Sequence, residues 1–216
     1  MSTSGLTAGL RLMVLTDAVA ARGRPILDVA GEALAGGATC IQLRDKGMGG
    51  RELCRLGEAL AALCHARGAL CLVNDRLDVA LACGADGVHL GQDDLPVARA
   101  RAVVGPDLII GLSAATPEEA RRAAADGADY LGTGAVFATA SKADAGEPIG
   151  PGGLARVVAA CPLPVVAIGG ISAANAGAAV GAGAAGVAVI AAVMGADDPR
   201  GAARAILAAV DGARRP

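Results

Sequence analysis

The sequence predicts an α/β protein of the (β/α)8 TIM-barrel class, and three observations carry the prediction. Short apolar runs alternate with longer stretches of helical periodicity along the chain. Eight such runs stand out, at 11–16, 40–44, 70–74, 87–90, 109–113, 130–133, 165–168 and 187–190. Polar side chains gather at the C-terminal ends of these runs, the face on which such barrels carry their chemistry. No linker or composition break divides the chain. A flexible N-terminus over 1–9 and one catalytic barrel domain over 10–213 are therefore expected.

Composition supports this class. Of 216 residues, 54% are hydrophobic and 19% charged, which allows a large core. With one Tyr, one Phe and no Trp, that core must be built from Ala, Val, Leu and Ile, as in buried parallel strands under Ala-rich helices. A net charge of −2 and the lack of an aromatic stacking platform argue against nucleic-acid binding. No charged residue falls between Val157 and Ala196, yet a membrane span over 176–194 is rejected. Gly177, Gly181, Gly183 and Gly186 punctuate it, with Pro162, Pro164 and Gly169-Gly170 just upstream, and the region reads as strand, turn, helix, strand. The six cysteines form no C-x-x-C pair and read as buried reduced thiols. With no secretory signal at the start, a cytoplasmic location is expected.

The elements follow in order. The run 11–16 opens the barrel, and Gly37-Ala38 leads into the second strand at 40–44. Leu53, Leu56, Leu60 and Leu63 mark a helix over 51–67 before the third strand. Gly84-Ala85, Gly127-Ala128 and Gly183-Ala184 repeat the same junction before strands four, six and eight, with Gly ending a helix in the left-handed conformation. Thr116-Pro117-Glu118-Glu119 is a capping box for the helix after strand five. Ser172 is expected to cap the helix after strand seven, and Asp197-Asp198-Pro199 the last helix.

Polar residues at the strand ends suggest anion and metal chemistry. Strand alternation puts Gln42, Arg44 and Lys46 on one side, and two inward cations call for an anion such as phosphate. The alternative for them is a salt bridge with Asp75 or Asp94. Asn74-Asp75 and Asp93-Asp94 follow neighbouring strands, and two such carboxylates beside cations suit Mg2+ shared with a diphosphate. One of Asp93 and Asp94 is expected to cap a helix while the other faces the metal. Ser113, Thr133, Thr139, Ser141 and Lys142 add polar groups from strands five and six. Gly169-Gly170 and the turn after Ile190 sit where barrels bind phosphate through backbone N–H groups. His89, inside a strand, reads as a satisfied lumen residue rather than a catalyst, and His65 as a surface residue.

QLRDK at 42–46, ND at 74–75, GADGVHLGQDDLP at 84–96, GLSAAT at 111–116, GADYLGTGAVF at 127–137 and AIGGI at 167–171 together resemble the thiamine-phosphate synthase family. The resemblance implies a transferase that joins hydroxymethylpyrimidine diphosphate to a thiazole phosphate, releasing pyrophosphate. It implies that Gln42, Arg44, Lys46 and Asn74 bind the pyrimidine diphosphate and that Asp75 and Asp94 hold Mg2+. Ser113 and Lys142 would touch the diphosphate, with Arg44 and Lys46 also serving its departure. Thr139, Ser141, Gly170, Ile190 and Ala191 would meet the substrates on the thiazole side. The partners implied are these two small molecules, with neither nucleic acid nor membrane, and a homo-oligomer is compatible with the family.

The sequence departs from the family at three places. The loop after strand six reads Ala138-Thr139-Ala140-Ser141-Lys142 where P-T-x-T-K is usual. Ala115 stands where His is frequent, and Ala191 where Ser is frequent. Rival readings are a thiazole tautomerase-like barrel, another phosphate-binding barrel enzyme, and a ligand-binding regulator. A Schiff-base aldolase is disfavoured because Lys46 and Lys142, the only lysines, fall at strand ends or in loops. The loop 138–148 is expected to be mobile without ligand.

Overall fold

A computed structural model describes residues 3–139 and 147–214. Eight parallel strands close into a barrel in sequence order. They are β1 (Leu12–Leu15), β2 (Cys40–Leu43), β3 (Leu70–Asn74), β4 (Gly87–Leu90), β5 (Ile109–Ser113), β6 (Tyr130–Thr133), β7 (Val165–Ile168) and β8 (Gly186–Val189). The helices are α1 (Thr3–Gly9), α2 (Ile26–Ala35), α3 (Gly50–His65), α4 (Leu77–Ala82), α5 (Val97–Val104), α6 (Pro117–Asp126), α7 (Gly150–Ala160), α8 (Ala176–Gly181), α9 (Ala191–Met194) and α10 (Pro199–Ala213).

Strand alternation divides the core in two. Leu12, Val14, Ile41, Leu43 and Val73 point outward and pack beneath the helices. Met13, Leu15, Cys40, Leu70, Leu72 and Tyr130 point inward and fill the lumen. The seam closes where β1 meets β8, with Leu12, Met13 and Val14 opposite Val187, Ala188 and Val189.

The barrel's lower end differs from the expected flexible N-terminus. α1 is helical, and Leu6 and the fully buried Leu10 join the lumen cluster from below. Burial of two leucines supplies the apolar contact that orders a helix too short to stand alone.

The helix boundaries follow their local chemistry. Gly37, Gly84, Gly127 and Gly183 adopt positive φ at the four expected junctions. Thr116 and Glu119 form the reciprocal capping box, and Asp198 accepts the Gly201 N–H at 2.9 Å to cap α10. Ser172 does not cap α8. A turn intervenes, and the Ser172 N–H donates to Asn175 Oδ1 at 2.8 Å. The apolar stretch 176–194 splits into α8, β8 and α9, and no helix among the described residues is long and apolar enough to cross a membrane. All six cysteines are free, and four are buried. Burial pushes the Cys40 thiol well up, and a hydrogen bond with Cys64 together with burial does the same to Cys71.

Truncating the lumen plug tests its contribution. Leu10→Ala is expected to cost about 2–5 kcal/mol of unfolding free energy in urea titration. A loss under about 1 kcal/mol would show that α1 does not brace the barrel.

Candidate active site

The C-terminal ends of the strands surround a cavity of about 660 Å3, in the range of small-molecule sites. Of the residues expected there, Arg44, Lys46, Asn74, Asp75, Asp94, Ser113, Thr139, Gly170, Ile190 and Ala191 all line it. Ser141 and Lys142 lie outside the described residues, as does most of the 138–148 loop whose mobility was expected.

The first wall is cationic. β2 ends at Leu43 because the Thr16 side chain takes over its edge: Thr16 Oγ1 accepts from the Arg44 N–H at 2.8 Å and donates to the Arg44 carbonyl at 3.0 Å. Asp45 Oδ1 accepts the N–H groups of Gly47 and Met48, a turn that sets the path of the chain through Lys46. Arg44 lies 3.7 Å from Asp17, so its anionic neighbour is neither Asp75 nor Asp94 as a pair partner. Alternation keeps Gln42 on the inward side with Arg44, but at a different height. Gln42 is buried one layer down, lines a small lumen cavity, and donates to Met13 Sδ at 3.2 Å. Its Oε1 has no hydrogen-bond partner.

The second wall is acidic. Asp75 sits at φ 63°, a left-handed conformation that Asp tolerates better than most residues and that stores strain. Its N–H still bonds to the His89 carbonyl at 2.8 Å, extending the β3–β4 ladder past the strand end. Burial and a hydrogen bond with the Asp94 carboxyl raise the Asp75 pKa, while Lys46 and Arg44 work against the rise. Asp94 Oδ2 accepts the Gly91 N–H at 2.6 Å and closes its own loop. Neither Asp93 nor Asp94 caps α5, whose N-terminus has no side-chain cap.

This pair fits a hard divalent cation. Two carboxyl groups in mutual contact, with the Asp75 pKa raised by burial and by its neighbour, are the arrangement that a cation between them relieves. Among the described residues no cluster of three or more His, Cys, Asp or Glu side chains forms a cage. Water and phosphate oxygens would have to complete the coordination of Mg2+, which such sites commonly allow.

The third wall is backbone. Gly169 and Gly170 adopt φ 94° and 64°. A Cβ at Gly170 would fall 2.4 Å from the Ala138 carbonyl oxygen, so only glycine fits. Asn175 fixes this turn from behind, accepting the Ser172 N–H and donating Nδ2–H to the Gly170 carbonyl at 2.8 Å. Thr133 is fully buried, lies off the cavity and leaves its hydroxyl without a partner, because Gly132 and Gly134 take the inward positions around it.

Four residues at the site escaped the sequence reading. Asp17 lies in a loop and Asn175 five positions beyond Gly170, neither with a motif of its own. Glu119 carries the signal of a helix cap and also lines the cavity. His89 was placed in the lumen, but its ring lies at the boundary of the cavity and bonds to Ser113.

A closed parallel barrel with an anion-receptive mouth at its C-terminal end defines a phosphate-handling (β/α)8 enzyme. Within that class the sequence is specific. The model of the family "Thiamine monophosphate synthase" matches residues 12–193. The chain is 55% identical to the thiamine-phosphate synthase of Moorella thermoacetica over 89% of its own length and 91% of that protein. It is 53% identical to that of Roseiflexus castenholzii, over 89% and 85%. Among solved structures, thiamine phosphate pyrophosphorylase from Pyrococcus furiosus superposes with a TM-score of 0.90 at 45% identity, covering 97% of this chain and 100% of that one. The chain belongs to the thiamine monophosphate synthase family. The tautomerase-like, regulatory and other-barrel readings are not favoured by these matches.

Two substitutions test the geometry. A carboxyl whose folded pKa is raised favours the fold fully below its unfolded value of about 3.9, and that contribution is lost as pH rises through the folded value. At neutral pH the ionised Asp75 therefore opposes folding, and Asp75→Asn is expected to raise the thermal midpoint at pH 7 but not at pH 3. An unchanged or lower midpoint at pH 7 contradicts the strained pair. Asn175→Ala removes the bond to the Gly170 carbonyl and the bond from the Ser172 N–H, and is expected to cost about 1–2 kcal/mol in chemical denaturation.

Proposed function

We propose that the protein joins 4-amino-2-methyl-5-hydroxymethylpyrimidine diphosphate to a thiazole phosphate, forming thiamine phosphate and releasing pyrophosphate. The observation that carries the reading is the convergence, in a chain of this family, of two cations, a carboxyl pair and a left-handed glycine turn on one mouth. The reaction breaks the C–O bond to the diphosphate, and the bonding electrons leave with the diphosphate oxygen. The thiazole nitrogen then gives its lone pair to the pyrimidine-methyl carbon, forming the new C–N bond.

Each wall has a task in this reaction. Arg44 and Lys46 take up charge that grows on the departing diphosphate, and Asn74 and Ser113 add polar contacts to the same substrate. Lys142 is assigned to the diphosphate, and Ser141 to the thiazole side, from the family pattern. Asp75 and Asp94 would hold Mg2+, which when bound would neutralise the diphosphate as a Lewis acid. The unpartnered Gln42 Oε1, in the cavity beneath, offers an acceptor to the amino group of the pyrimidine. On the far side, backbone N–H groups about Gly170, Ile190 and Ala191 receive the thiazole phosphate, with Thr139 beside them. With Ala191 in place of the frequent Ser, that contact depends on backbone donors rather than a hydroxyl.

Incubation with both precursors and Mg2+ is expected to yield thiamine phosphate and pyrophosphate, detected by chromatography. EDTA is expected to abolish product, and Asp75→Ala to lower kcat/KM on the order of 100-fold or more. Folded protein that forms no product would sink the reading, and full activity in EDTA would remove the metal from it.

A further inference from the structure

We propose that His89 is a positioning residue that turns the Ser113 hydroxyl toward the cavity as a hydrogen-bond donor to the leaving diphosphate. The proposal rests on the reaction assigned above. It begins with strand register. His89 on β4, Gly111 on β5 and Tyr130 on β6 form one row across the barrel. Gly111 is the gap in that row: a Cβ there would lie 2.2 Å from the Tyr130 ring. The absent side chain lets His89 Nδ1 reach Tyr130 Oη across the intervening strand, at 2.9 Å. A second gap serves the other face, since a Cβ at Gly132 would lie 2.8 Å from His89 Cε1. From this slot His89 Nε2 reaches Ser113 Oγ at 3.1 Å.

The direction of the chain follows from its buried end. Tyr130 is 1% exposed, and burial pushes its pKa well up, so the phenol keeps its proton. Gln42 gives its amide N–H to Met13 Sδ, so among the described residues the hydrogen-bond partner of the Tyr130 hydroxyl is His89 Nδ1. The phenol proton then goes to His89 Nδ1. That places the imidazole proton on Nε2, which donates to Ser113 Oγ. With its oxygen accepting from the ring, Ser113 presents its own proton to the cavity it lines. An anion acquiring charge there meets a donor oriented before it arrives, and no group has to turn during the reaction.

The tautomer is directly observable. His65 and His89 are the only histidines, so His65→Gln labelled with 15N leaves one imidazole to observe. Two-bond 1H–15N correlations at pH 8 are expected to show the Nε2–H form. An Nδ1–H form would reverse the chain and overturn the proposal. Tyr130→Phe, which keeps the ring volume, is expected to mix the two tautomers; an unchanged spectrum also counts against the chain.

Kinetics test the consequence. His89→Leu is expected to lower kcat about 10- to 100-fold, with KM for both substrates changed less than about 3-fold. His89→Gln, which keeps an N–H near the Nε2 position, is expected to recover part of the loss. In a Ser113→Ala background, His89→Leu is expected to cost little more, because its effect passes through the hydroxyl. Additive losses would mean that His89 acts otherwise. If wild type makes no thiamine phosphate, the assigned reaction fails, and the tautomer still decides the direction of the chain. If wild type turns over and His89→Leu keeps full kcat, only the role of His89 fails.

Discussion

Closure of the barrel is the constraint on which the rest depends. β1 can pair with β8 only if every strand lies in register with the next, and that register decides which residues share a layer. A slip of one residue in any strand would exchange its lumen and helix-facing sets. Met13 and Leu15 would then face the helices, and the hydroxyl of Ser113 would leave the mouth. The site is thus a property of eight pairings together rather than of any single loop.

Small residues make that closure compatible with a polar mouth. A lumen lined throughout by large side chains would leave no room for an imidazole and a phenol in one row. Gly111 and Gly132 provide it, while Gly169 and Gly170 let the backbone of the opposite wall approach Ala135 and Ala138. The mouth also carries stored electrostatic work. Asp75 is held in a left-handed conformation against a second carboxyl, with Arg44 and Lys46 offsetting part of the repulsion. Such an arrangement lowers the stability of the free protein.

Much of the architecture was legible in the sequence because it rests on local signals. The capping box at Thr116 and Glu119, the four Gly-Ala junctions and the apolar runs each act within a few residues. The residues lining the mouth were legible because they cluster at strand ends. What escaped depends on contacts between distant segments. Leu6 and Leu10 order α1 only because a lumen exists to receive them. Asp17 meets Arg44, and Asn175 meets Gly170, through loop paths that periodicity does not encode. Alternation gives the side on which Gln42 lies, inward with Arg44, but not its height, and the glutamine sits a layer below the mouth. His89 looked like filler in one dimension; register with Gly111 and Tyr130 is what connects it to Ser113.

The scarcity of aromatic residues, first met as a property of composition, has an optical consequence. With no Trp and a single Tyr, the ultraviolet emission of the protein comes from one phenol. That phenol lies in the layer beneath the mouth, hydrogen-bonded to the ring that touches Ser113. The fold has therefore placed its one tyrosine fluorophore two hydrogen bonds from the mouth.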